Sequence, residues 1–137
     1  MAFPSQTKLY REQHDRLRAQ AAKMLAATSD AEHRQLLAQF AGQVMMHLKG
    51  EDDSLYPRLL SHPDPQVRAK AKELQASMGG LAMTFKTYYE KWIASGAIAR
   101  DTRGYEAEMR AVIRTFAERM DLEDRELYDL ADRALAA

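Results

Sequence analysis

The sequence predicts an all-α protein, an antiparallel up-down four-helix bundle. Four long stretches place apolar residues at the 3.6-residue period of an amphipathic helix, and none alternates as a strand would. The breaks between them are short and carry capping and turn residues. A segment on the second stretch also returns on the fourth, 72 residues further on (119 against 47). Such an echo points to two similar halves.

The first helix is expected from about Ser5 to Ala27, with Ser5 as N-cap after Pro4. Its inner stripe reads Tyr10, His14, Leu17, Ala21, Met24 and Leu25, so His14 lies among apolar neighbours. Ser29-Asp30-Ala31-Glu32 is a capping box that opens a second helix over Asp30 to Leu60. Pro57 should kink or break this helix. Its stripe is Leu37, Phe40, Val44, Leu48 and Leu55, and His47 and Glu51 fall on the same side. His33, near the helix start, reads as a solvated first-turn residue, and His62 as a loop residue.

Asp64 and Pro65 supply the N-cap and first residue of a third helix, which ends at Gly96. It turns Val67, Ala71, Leu74, Met78, Leu81, Phe85, Tyr88 or Tyr89, and Trp92 inward. Gly79-Gly80 marks either a close helix approach or a hinge. Residues 97–104 form the longest irregular connection, with Asp101 as a cap. The fourth helix then runs through Tyr105, Met109, Val112, Phe116, Arg119, Glu123, Leu127 and Leu130. Met45, Met46, Met78, Met83 and Met120 read as adaptable core filling.

The 137 residues suffice for one domain, 1–137, with its own core. The 20 acidic and 20 basic side chains cancel and are well mixed, which argues against nucleic acid or a membrane surface as partner. With no cysteine, disulfides, thiolate metal sites and thiol catalysis are excluded. The charged start of the chain has no signal-peptide pattern, and no run is long and apolar enough for a membrane span. The expected location is the cytoplasm. No nucleophile–base set or phosphate loop appears, so no enzyme is expected.

The stripes bring His14, His47, Glu51, Arg119 and Glu123 to similar depth, with Met78 as the third helix's contribution. A His and carboxylates inside a core must be paired, hydrogen-bonded or bound to metal, because an isolated buried charge is prohibitively costly. Imidazoles and carboxylates on facing helices are also how bundles hold iron or manganese.

The pattern resembles the hemerythrin-like (HHE cation-binding) family along nearly the whole chain. Leu9-x-x-x-x-His14-x-x-Leu17 is similar to its first motif. His47-x-x-x-Glu51-Asp52-x-x-Leu55-Tyr56-Pro57 is similar to its central one, and Arg119 to Tyr128 to the repeated one. The resemblance implies a non-heme di-iron centre that binds oxygen or senses iron or redox state. Here His14, His47, Glu51 and Glu123 keep family positions, whereas Met78 and Arg119 stand where two histidines are expected. Those two would serve mainly one of the two metals, which argues against an oxygen-carrying di-iron pair.

Three arrangements satisfy the layer. One Fe, Mn or Zn ion is held by His14, His47, Glu51 and Glu123. Alternatively no metal is bound, and Arg119 supplies the positive charge against the two carboxylates. Or the vacated space is a cavity for a small ligand. Function is then expected in metal, redox or stress sensing, or in binding a protein partner as a helical module, with the chain a monomer or homodimer.

Overall fold

Helix formation follows the apolar stripes closely. The computed structural model describes residues 6–77, 81–94 and 96–135. The expectations for Ser5, Met78 and the Gly79-Gly80 pair lie outside the described residues.

Helix α1 spans Gln6–Ala26 and α2 spans Asp30–Gly50. Ser29 caps α2 as expected, its hydroxyl accepting the Glu32 N–H at 3.1 Å. A π-helical turn over Glu51–Leu55 follows, closed by the Tyr56 N–H on the Glu51 carbonyl, and α3 continues over Tyr56–Leu60. The Asp64 carboxylate accepts the Gln66 N–H at 2.9 Å ahead of α4, Pro65–Ser77. Helix α5 covers Leu81–Tyr89 and ends in a π turn, Glu90–Ala94. Gly96 then takes φ +65, the left-handed conformation that terminates a helix. Helix α6 spans Thr102–Leu122, a π turn covers Glu123–Leu127, and α7 covers Tyr128–Ala134.

The break expected at Pro57 is replaced by the π turn before it. Proline is not its cause, because the same turn forms at Glu123–Leu127, where Asp129 takes the place of Pro57. The connection expected over 97–104 is also shorter than that. Asp101 caps α6 by accepting the Gly104 N–H at 3.0 Å, so the helix starts at Thr102.

These pieces make four rods that pack around a common axis. The first two run antiparallel, with Tyr10 meeting Gly50 and Gln20 meeting Gln39. The last returns against the first, through Arg11 to Asp132 and Arg18 to Asp121. The third opposes the second through Phe40 and Phe85, and the fourth through Trp92 and Glu108. Phe40, Phe85 and Phe116 meet edge-to-face, with centroids 5.3–5.7 Å apart, and this geometry adds to their area burial.

The apolar interior falls into two clusters. One holds Leu17, Met24, Leu37, Phe40, Val44, Phe85, Phe116 and Met120. The other holds Tyr10, Leu55, Leu59, Leu74, Leu127 and Tyr128. Along each of three rods the chain passes from one cluster to the other through a polar residue. His14 lies between Tyr10 and Leu17, His47 between Val44 and Leu55, and Glu123 between Met120 and Leu127.

Some residues expected inside are not. Met45, Met46 and Met83 are 46%, 68% and 64% exposed, and Leu25 is exposed too. Each lies one or two positions off its stripe, so only Met120 of the described members of that set fills core. No helix among the described residues is long and apolar enough to cross a membrane.

Candidate metal centre

The polar layer gathers at the level where two rods change from α to π geometry. His14 on α1, His47 on α2, and Glu51 and Glu123, the first residues of their π turns, are all buried. One ligand-capable atom from each lies within 4.8 Å of the other three.

The orientation of both imidazoles is set by what holds their outer nitrogens. His14 Nδ1–H donates to Asp124 Oδ1 at 2.9 Å, and Asp124 is steadied by Arg18 Nη2 at 2.7 Å. His47 Nδ1–H donates to Gln13 Oε1 at 2.8 Å. An ionised carboxylate only accepts, so the proton on His14 belongs to Nδ1. Both Nε2 atoms are thereby turned inward, 3.0 Å apart. Glu123 Oε1 lies 2.8 Å from His14 Nε2 and 3.4 Å from His47 Nε2, and Glu51 Oε2 lies 3.4 Å from His47 Nε2. Lone pairs this close repel unless a proton or a cation lies among them.

The electrostatics carry the same tension. Burial raises the Glu51 carboxyl from 4.5 to about 8; His47 opposes the shift and the charge of Glu123 adds to it. Glu123 goes the other way, to about 2, because hydrogen bonds from His14 and His47 outweigh its burial. His47 is raised to about 9, as its bonds to Glu123 and Glu51 overcome the burial that would lower it. Two carboxylates in one buried site are thus driven apart, one neutral and one charged, when protons alone balance them.

Two imidazole nitrogens and two carboxylate oxygens form an N2O2 set suited to Fe(II), Mn(II) or Zn(II). The fit extends beyond these four atoms. Glu123 Oε2 is buried and has no hydrogen-bond partner among the described residues. Each histidine has its outer N–H held by an oxygen, as metal-bound histidines generally do.

Of the five residues expected in one layer, the structure brings four together and turns the fifth away. Arg119 is half-buried, and its guanidinium donates to the Ser77 carbonyl at 2.5 Å and the Ser77 hydroxyl at 3.4 Å. The expected pairing of Arg119 with Glu51 or Glu123 is therefore corrected. The Ser77 carbonyl at the end of α4 offers the long side chain an acceptor near solvent, which spares it the desolvation of the centre. Met78, the other substituted position, lies outside the described residues. His33 is buried rather than solvated, bonded to the Ala27 carbonyl and the Tyr105 hydroxyl, and it is remote from the cluster. His62 bonds the Ala134 carbonyl from its loop.

Three residues at the centre carried no expected role there. Gln13 and Asp124 hold the histidines, and Tyr128 places its hydroxyl among the ligands. Asp124 and Tyr128 appear in the sequence only as members of the echoed segment. A straight α-helix would turn Tyr128 away from Glu123, five residues earlier. The extra residue in the π turn rotates it onto the same face.

The family model described as Hemerythrin HHE cation binding domain matches residues 5–131. No curated protein and no solved structure matches the chain.

Proposed function

The chain belongs to the hemerythrin HHE cation-binding family, and from that premise we propose that it holds one iron, manganese or zinc ion between His14, His47, Glu51 and Glu123. The observation that carries this reading is the pair of inward Nε2 atoms, 3.0 Å apart, with Glu123 Oε1 beside them. Asp124 and Gln13 accept hydrogen bonds from the outer N–H groups and so keep the protons on the outer nitrogens, leaving the inner lone pairs for a cation. When bound, the ion supplies two positive charges against two carboxylates, together with whatever redox chemistry its identity allows. The protein's own part is to keep both histidines in one tautomer and to exclude water behind two apolar clusters.

A single ion is favoured over a di-iron pair because Arg119 brings no imidazole to its family position and its guanidinium is engaged with Ser77. The role we propose is non-catalytic, in metal, redox or stress response in the cytoplasm, or through a protein partner. The competing reading is a metal-free bundle whose centre is balanced by protons.

Protein purified without chelator or histidine tag should contain close to one equivalent of transition metal. The variants His47→Ala and Glu123→Ala should lose it. Two equivalents of iron with an oxo-bridged absorption band would establish a di-iron centre instead. Failure to take up metal on reconstitution would establish the metal-free bundle.

A further inference from the structure

We propose that Tyr128 is a fifth ligand, and that its phenolate makes the centre selective for ferric iron over divalent ions. This rests on the metal-binding reading above and goes beyond it, since it assigns an oxidation state and a residue outside the His/Glu set.

The geometry is that of a ligand already in place. The Tyr128 hydroxyl lies 2.7 Å from Glu51 Oε2, 3.0 Å from His14 Nε2 and 3.3 Å from His47 Nε2. It therefore contacts three of the four candidate ligands, and among the described residues no backbone carbonyl takes its proton. The side chain is fully buried and cannot swing away to solvent. Tyr10 stacks on it at 5.9 Å between centroids, and the Arg11 guanidinium lies 5.4 Å from its ring centroid. The π turn at Glu123–Leu127 aims it, placing Glu123 and Tyr128 on one face.

Charge decides what such a phenol can do. Glu51 and Glu123 together balance a divalent ion, so with Zn(II) the hydroxyl keeps its proton and donates it to Glu51. A trivalent ion leaves one positive charge uncompensated in a buried site, where net charge is costly. Loss of the Tyr128 proton to solvent, with its oxygen bound to the ion, closes that balance at zero. Phenolate is a hard, anionic oxygen donor and prefers hard trivalent iron to softer divalent ions. The site thus takes Zn(II) as a four-ligand centre and Fe(III) as a five-ligand one.

Loading the purified protein with a ferric chelate tests this without any redox step, because phenolate bound to Fe(III) gives a visible charge-transfer band. The wild type should take up one ferric ion and show the band. Tyr128→Phe should lose the band and at least tenfold in ferric affinity, while its zinc affinity changes less than threefold; retained zinc binding shows that the variant is folded. Tyr10→Phe, which loses only the bond to the Gly50 carbonyl at 3.0 Å, should keep the band. Zinc binding with no visible band in the ferric wild type overturns the role of Tyr128 and leaves the metal site standing. A band that survives in Tyr128→Phe overturns it as well. No uptake of either ion by the wild type overturns the metal-binding reading itself.

Discussion

Stripped of metal, the buried centre should weaken the fold as pH rises. Burial lifts Glu51 from 4.5 to about 8, and in His47 hydrogen bonds to both carboxylates overcome burial and lift it from 6.5 to about 9. The folded protein therefore keeps protons that the unfolded chain releases. The stability these groups contribute is fully present below their ordinary values of 4.5 and 6.5, and is lost as pH climbs through about 8 and 9. Glu123, held down to about 2, has the opposite sign, but its window lies below 4.5. Each extra proton gives a slope of about 1.4 kcal/mol per pH unit. One to two extra protons across the interval from 6.5 to 8 amount to a loss of about 2–4 kcal/mol. Urea unfolding in the presence of a chelator, followed by circular dichroism at steps across that interval, reads this directly. Saturating zinc should reverse the slope, since the ligands must shed protons to bind it. Glu51→Gln, which mimics the protonated acid, should flatten the metal-free curve. Metal-free stability that is level or rising from pH 6.5 to 8 would refute the proton balance argued for the centre.

Other outcomes follow from single contacts. Asp124→Ala, which releases His14 Nδ1, should weaken zinc binding by about 10–100-fold in a chelator competition. Asp124→Asn can still accept that proton and should lose less. Among the described residues Arg119 bonds only Ser77, so Arg119→Ala should cost about 1 kcal/mol with no pH dependence. A loss of about 3 kcal/mol or more in chemical denaturation would mean that the guanidinium faces the carboxylates after all. In Gly50→Ala the new methyl would meet Tyr10 Cε1 at 3.2 Å, and that ring is wedged against His47 and Tyr128. The variant should lose about 1 kcal/mol by thermal denaturation, despite a helical preference that favours alanine.

The residues at periodic positions were readable from the chain alone. Tyr10, His14, Leu17, Ala21 and Met24 share one α-helical stripe and are all buried, and the two other rods that carry the centre repeat that arrangement up to Val44 and Met120. The caps at Ser29, Asp64 and Asp101 were legible for the same reason, because a side chain that bonds an N–H two or three residues on is local chemistry. Beyond Glu51 and Glu123 periodicity still placed Leu55 and Leu127 inside but missed Tyr56 and Tyr128, because each rod admits an extra residue there. It also assigned Arg119 to the interior because that position lies on the stripe, although a long side chain can reach from there to the Ser77 carbonyl.

Sequence by itself thus determined the bundle, its polar layer and the four side chains that could hold an ion. These follow from spacing along each helix and from the cost of burying polar groups unpaired. Only the tertiary structure decided which nitrogen each histidine turns inward, because Asp124 and Gln13 come from other rods than the histidines they hold. It also decided that the Tyr128 hydroxyl joins the centre and that the Arg119 guanidinium leaves it. A π turn and a helix-end carbonyl within reach of a guanidinium are settled by what packs against them, and a one-dimensional period carries no record of that.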